Sequence, residues 1–313
     1  MTLTAEQLDL RRQGIGASEA AAVLGLSPWR TPVDVYWSKV LDPEPAPPTE
    51  AMSRGIALEP YILDRLAEDM GLPLRRDVGT IVDPVSTVLM ATPDAIVPGQ
   101  AMAVEAKTAS LMDGWGEQGT DEIPMHYLVQ THHQMAVLNR AGYEVRRVLV
   151  PVLFFTMRPE YRLYAVDRNE AVEQAIVGDL LGWWQRHVIA RVPPAEQPPA
   201  LDVLKRLRRE PASVVDLSDR AITEIESWQA AKELAKEHAE EAEEMQARVL
   251  ALLGTDAPAE AGRLPDGRLL TYLTQKSAPR VDHDRLRTQF PDAYAACVAQ
   301  GCHRVLRVKK GGK

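Results

Sequence analysis

Asp94 in the stretch ATPDAIV, and Glu105 with Lys107 in VEAKTAS, are the residues of this chain whose types and spacing could do chemistry. Glu105 and Lys107 are two positions apart, which on a β-strand puts both side chains on one face. The residues from Ala101 to Val104 are apolar, like the start of a core strand, so a carboxylate and an ammonium side by side there need a reason. Between Asp94 and Glu105 the chain has room for a strand, a turn at VPGQA and a returning strand, a hairpin that would bring the two carboxylates together. Carboxylates pressed together repel unless a cation lies between them. Hard oxygen donors with water in the remaining positions suit Mg²⁺ or Mn²⁺. Lys107 beside such a metal could orient a water or help to deprotonate it. The competing reading is a surface hairpin with an ordinary Glu–Lys contact.

The elements around these residues follow from pattern. Residues 14–41 read as a glycine-bearing loop, a short helix, a turn at Ser27-Pro28 and a second helix that starts with Thr31 as N-cap and Pro32 in the first turn. From about Met52 to Met70, Ile56, Ala57, Tyr61, Ile62, Leu66 and Met70 recur at helical spacing, and Gly71 ends the run. The runs RRDVGTIVD, STVLMATPDAIV and AMAVEAKT read as a β-meander. Pro124 to Arg140 returns to helix, VRRVLVPVLF and YRLYAVD read as two strands, and Asn169 caps a helix running to about Arg191. This order predicts an α/β core with a mixed sheet.

The expected domain over 1–192 is followed by a proline-rich and basic linker at 193–215, holding PPAEQPPA and LKRLRR. A long coiled-coil-like helix is expected over 216–253, with an alanine-rich seam of Trp228, Ala231, Ala235, Ala242, Met245, Val249 and Leu252. Residues 254–313 read as a small strand–helix–strand unit ending in RVLRVKKGGK.

Composition narrows the function classes. The 313 residues include only two cysteines, Cys297 and Cys302, which excludes a disulfide framework and a four-cysteine cluster built from one chain. His126, His132 and His133 lie close in sequence, but no cysteine or second histidine group stands at zinc-ligand spacing. Net charge is −8, which argues against indiscriminate coating of nucleic acid and leaves room for a local basic lining. No apolar run reaches membrane-helix length and the first residues lack a signal-peptide core, so a cytoplasmic protein without a membrane partner is expected.

The pattern D-(x)n-E-x-K, here Asp94, Glu105 and Lys107 with Pro93 leading, is the signature of the PD-(D/E)XK nuclease superfamily. Three further stretches make the resemblance specific. RRQGIGASEAAAVLGLSPWRTPVDVYWSKV resembles the opening of the YqaJ-type viral recombinase family, relatives of phage lambda exonuclease. RGIALEP resembles that family's glutamate-bearing helix, and IPMHYLVQTHHQMAVLNR its Tyr-x-x-Gln-x-x-x-Gln helix. The four motifs fall in the family's order over residues 11 to about 165.

The resemblance implies a restriction-endonuclease-like core, a central mixed sheet flanked by helices, with a helical C-terminal appendage. It implies that Glu59, Asp94 and Glu105 are metal ligands, with the carbonyl of Ala106 an additional one, that Lys107 is the catalytic lysine, and that Gln130, with Tyr127 nearby, contacts the attacking water or the substrate phosphate. Arg11 and Ser18 match the family's 5′-phosphate-holding pair, and Thr92 adds a hydroxyl two residues before the aspartate. This chain departs from the family after the lysine. Thr108, Ala109, Ser110 and Asp113 stand where relatives can carry a basic residue.

The implied activity is a Mg²⁺- or Mn²⁺-dependent DNA exonuclease, 5′→3′ on linear duplex ends. The implied partners are double-stranded DNA ends, a single-strand annealing protein and further copies of the chain in a ring. The alternatives are a structure-specific or single-strand endonuclease of the same fold, and a DNA-binding or assembly module without turnover. The LKRLRR patch and the basic tail could add backbone contacts or be solvated surface.

Overall fold

The computed structural model describes residues 10–41, 47–156, 158–195, 198–210, 213–256, 259–276, 281–299 and 306–307. It divides into two compact units, Met1–Arg209 and Glu210–Lys313.

The first unit opens with β1 (Ile15–Gly16) and α1 (Ala17–Val23), followed after a turn by α2 (Pro32–Val40). The Thr31 hydroxyl accepts from the Asp34 N–H at 3.2 Å and the Asp34 carboxylate accepts from the Thr31 N–H at 2.8 Å, a reciprocal cap that fixes where α2 starts. Next comes α3 (Glu50–Met70), capped by Thr49 and ended by Gly71 at φ 62°, a left-handed turn that glycine takes without strain. The buried face of α3 is Ile62, Leu63 and Leu66, whereas Ile56, Tyr61 and Met70 from the expected stripe are exposed. The C-terminal half of the helix packs its apolar face on the sheet, and its N-terminal half borders an open cleft beside β6.

Then follow β2 (Ile81–Val82), β3 (Leu89–Ala91), β4 (Ala95–Val97), β5 (Met102–Val104), β6 (Lys107–Ala109), α4 (Met125–Arg140), β7 (Arg147–Phe154), β8 (Glu160–Asp167) and α5 (Glu170–Trp183). The expected meander is split between two sheets. β1 pairs with β3 in parallel and β2 with β3 antiparallel, while β4, β5 and β6 join β7 and β8 in a second, mixed sheet. In that sheet β5 and β6 lie end to end along one edge of β7, parallel to it, and β8 runs antiparallel along the other edge.

Alternation along the strands covers both faces of the mixed sheet. Val148, Val150 and Val152 of β7 pack with Met135 and Leu138 of α4, whereas Leu149 packs with Leu63 and Leu66 of α3. Such a two-sided strand reads as an almost continuous apolar run, as RVLVPVLF does. The result is a mixed α/β fold with helices on both faces of a central sheet.

Two further differences stand out in this unit. The helix capped by Asn169 does not run straight to Arg191, because it loosens into a π-helical turn over Trp184–Ile189. Within the stretch read as a linker, LKR belongs to a short helix, α6 (Leu201–Arg206), braced by an Asp202–Arg206 pair one turn apart.

The second unit holds α7 (Arg220–Ala251), a hairpin of β9 (Ala261–Arg263) and β10 (Leu269–Thr271), and two short helices, α8 (His283–Gln289) and α9 (Pro291–Cys297). Over the described part of 254–313, a hairpin and two short helices stand where one strand and one helix were expected. The strand expected in RVLRVKKGGK lies, apart from residues 306 and 307, outside the described residues, as does Cys302. None of the 32 residues of α7 is buried. Among the described residues no helix is long and apolar enough to cross a membrane.

Candidate active site

The hairpin of β4 and β5 places the two carboxylates. Its register pairs Ala95 with Val104 and Val97 with Met102, so Asp94 and Glu105 sit just beyond the same end of the ladder. The Asp94 N–H still donates to Val104 O at 3.1 Å, and the Glu105 N–H donates to Leu149 O at 2.9 Å. In a parallel ladder the next bond would run from residue 151 to the Glu105 carbonyl, but residue 151 is proline and has no N–H to give. The strand beside β7 is accordingly interrupted at Glu105 and Ala106, and resumes as β6 at Lys107. The Ala106 N–H, free of the ladder, donates to Asp94 Oδ2 at 2.8 Å and ties the first carboxylate to the backbone of the second.

Glu105 is buried and its carboxylate is held from two elements. Oε1 accepts from Lys107 Nζ and from Gln130 Nε2, each at 2.5 Å. Oε2 accepts from Gln134 Nε2 at 2.5 Å. Gln130 and Gln134 are one turn apart on α4, so one helix face presents both amides to one carboxylate. The expected proximity of Glu105 and Lys107 is observed, although the ladder is broken between them.

Burial, and then the nearby charges of Glu105 and Glu59, push the Asp94 carboxyl well above the usual carboxylate range, against the opposing effect of Lys107. Burial alone would lower the Lys107 ammonium, but Glu105 and Asp94 raise it above its ordinary value. Lys107 is thus an ammonium that donates, suited to orienting a water rather than to deprotonating it. Its Nζ lies 5.1 Å from the centre of the Tyr127 ring, a cation–π contact that covers its other side.

These groups open into a cleft of about 1010 Å³, lined by Glu59, Asp94, Glu105, Ala106, Lys107 and Tyr127 among others. Glu59 reaches it from α3 and is half-buried. Thr108, Ala109, Ser110 and Asp113 also line it, so this wall carries hydroxyls and a carboxylate in place of a basic residue. Among the described residues no three His, Cys, Asp or Glu side chains close into a metal-ligand group, so Glu59 borders the cleft without joining Asp94 and Glu105 in a tight set. The donor chemistry nonetheless fits a hard divalent cation. Two converging carboxylates beside the Ala106 peptide, one of them disfavoured as an anion by its surroundings, are relieved by a positive ion between them.

Three of the residues expected to hold phosphate are placed elsewhere. Arg11 is exposed and its carbonyl accepts from Lys39 Nζ at 2.6 Å. Ser18 is exposed because α1 turns Ala17, Ala20 and Ala21 inward. Thr92 is exposed and shares a 2.9 Å hydrogen bond with Thr80. None of the three is among the described residues lining the cleft. The three histidines of this helix have separate surroundings. His126 packs against Tyr127, His132 is buried, and His133 Nε2 lies 3.1 Å from Met90 O.

Sequence reasoning gave no role to Gln134, Arg54, Trp29 or Trp115. Gln134 was signalled by its four-residue spacing from Gln130. Arg54, Trp29 and Trp115 reach the cleft from separate elements, and only the packed chain shows it.

The fold and site are those of a mixed α/β protein with an acidic–basic cleft at a broken strand of its mixed sheet. Residues 6–144 match the family described as the YqaJ-like viral recombinase domain. The matched segment contains Glu59, Asp94, Glu105, Lys107, Gln130 and Gln134. The chain is 26% identical over 294 residues to the uncharacterized protein YqaJ of Bacillus subtilis (strain 168), covering 92% of this chain and 89% of that protein. Among solved structures it is similar to the alkaline exonuclease LHK-Exo of Laribacter hongkongensis, at 20% identity and a TM-score of 0.48, covering 60% of this chain and 94% of the other. A phage related exonuclease from Haemophilus somnus 129PT gives 10% identity and a TM-score of 0.44, covering 59% of this chain and 99% of the other.

Proposed function

We propose that this chain is a metal-dependent DNA exonuclease that digests linear duplex ends 5′→3′ and leaves 3′ single strands for phage-type recombination. The observation that carries the reading is the convergence of Asp94, Glu105 and Lys107 where the strand beside β7 breaks, inside an open cleft of about 1010 Å³. The match of residues 6–144 to the YqaJ-like viral recombinase domain supports it.

Mg²⁺ or Mn²⁺, held by Asp94, Glu105 and the Ala106 carbonyl with Glu59 acting through water, would supply Lewis-acid polarisation of the phosphate and lower the pKa of its bound water. Lys107 orients the attacking water and stabilises negative charge as it develops on the phosphate. Gln130 and Gln134 fix the orientation of the Glu105 carboxylate and leave one acceptor position, on Oε2, unused by these side chains. In this reading Arg11, Ser18 and Thr92 would have to reach a 5′-phosphate from outside the described cleft lining. A cytoplasmic location, an annealing protein as partner and assembly into a ring belong to the same proposal, and the unburied seam of α7 is the surface available for assembly.

Digestion of an end-labelled linear duplex with Mg²⁺ tests the reading, run with 5′-phosphate ends, 5′-hydroxyl ends and a closed circle. Mononucleotides released from linear DNA alone, with Lys107→Ala slower by roughly a hundredfold or more, are the expected result. Preference for 5′-phosphate supports the Arg11 and Ser18 assignment, and no preference removes it. Cutting of the circle makes the protein an endonuclease. Binding without cleavage makes it a DNA-binding module.

A further inference from the structure

One wall of the cleft is a row of aromatic rings that the catalytic chemistry does not use. Trp115 roots the row in the core, 5.5 Å from the Phe154 ring and 5.0 Å from the Tyr164 ring. Tyr127 follows at 5.4 Å from Trp115, His126 at 4.1 Å from Tyr127, and Trp29 at 4.6 Å from His126. The row ends in solvent, since Trp29 is 68% exposed. Tyr127 stands between the two ends of the site, 5.1 Å from Lys107 Nζ and 6.2 Å from the Trp29 ring. Trp29 is therefore within a nucleotide's reach of a phosphate beside Lys107.

An exposed tryptophan forgoes the stabilisation its large apolar surface would bring if buried. The loop nevertheless holds it outward with some care. The Ser27 hydroxyl accepts from the N–H groups of Trp29 at 3.2 Å and Arg30 at 3.4 Å. Arg30 is then pinned behind the loop, by Glu19 at 3.2 Å and by the Ser38 hydroxyl at 3.1 Å. The indole is presented by an anchored turn. Burial and then Lys107 hold the His126 imidazole below its ordinary value, so it packs against Trp29 as a neutral ring.

We propose that this row, with Trp29 at its tip, is a stacking platform for the nucleobase at the strand end next to the reacting phosphate. Aromatic faces take any base, which suits digestion without sequence preference. Charge complementarity favours a nucleic acid over an apolar peptide here. Arg54 and Lys107 supply cations for the backbone in the same cleft as the rings. The proposal rests on the nuclease reading for its substrate, but its test does not need turnover.

The test uses the full chain carrying Lys107→Ala, so that DNA is bound without being consumed, and a linear duplex with 2-aminopurine at the terminal position. Binding is expected to quench the terminal base. Adding Trp29→Ala should remove most of the quench and weaken end binding roughly tenfold, the scale of one lost base stack. Trp29→Phe should keep most of both. In the hydrolytically competent chain, Trp29→Ala should raise KM more than it lowers kcat. An unchanged quench and an unchanged KM in Trp29→Ala would overturn the proposal, as would equal losses in Trp29→Phe and Trp29→Ala. Quenching that depends on Trp29 in a chain that never hydrolyses DNA would sink the nuclease reading and leave the platform standing.

Discussion

Glu105 has three side-chain donors on two oxygens, from Lys107, Gln130 and Gln134. A carboxylate gripped in this way has one orientation, and a cation meets it without first having to order it. Neither glutamine is among the cleft-lining residues, and Gln134 is the more informative of the two because it alone holds Oε2. Gln134→Met keeps the volume and removes the donor. Its expected effect is a roughly tenfold loss of activity at fixed Mg²⁺, partly recovered at higher Mg²⁺. A Mg²⁺ titration of hydrolysis checks this, and an unshifted curve would show that Oε2 needs no clamp.

At the scale of elements, α1 and α2 are joined by a buried charge cluster that also fixes the Trp29 turn. Lys39 Nζ lies 2.6 Å from Glu19 and Arg30 3.2 Å from it, with the Lys39 side chain only 2% exposed. Burial alone would raise the Glu19 carboxyl, but Lys39 and Arg30 hold it below its ordinary value. Removing Lys39 leaves the largely buried Glu19 with the partly exposed Arg30 as its remaining ion-pair partner. Lys39→Met should cost about 3 kcal/mol in denaturant unfolding, the lower end for breaking a buried pair. A loss under about 1 kcal/mol, the scale of a surface pair, would show that water reaches the cluster.

For the molecule as a whole, the acid side of stability carries a signature of the core. His133 is fully buried, and burial pushes its imidazole down to about 4. The unfolded chain, near 6.5, therefore takes up the proton first as pH falls. The stabilisation is complete above about 6.5 and is lost as pH drops towards 4, an amount on the order of 3 kcal/mol. Urea unfolding at pH 7 and pH 4.5 should show a smaller difference for His133→Gln than for the parent. Equal differences would mean that His133 is protonated in the folded state as well. The second unit contributes none of the candidate site residues, and α7 buries none of its 32 residues.

The sequence by itself determined the chemistry-bearing set and most of the element boundaries. Asp94, Glu105 and Lys107 were legible because a hairpin of that length has few ways to close. The caps at Thr31, Asn169 and Gly71 were legible because capping is local. The helix α3 was legible in extent but not in its buried face, since amphipathic spacing does not say which half of a helix meets a sheet. The division of the apparent meander into two sheets depends on which distant strand each run pairs with, β3 with β1 and β5 with β7, and pairing over such separations leaves no local trace. The break opposite Pro151, the Gln134 bond to Glu105 and the aromatic row ending at Trp29 were decided by tertiary structure alone. Each joins residues from different elements, and only packing brings their side chains within a few ångströms.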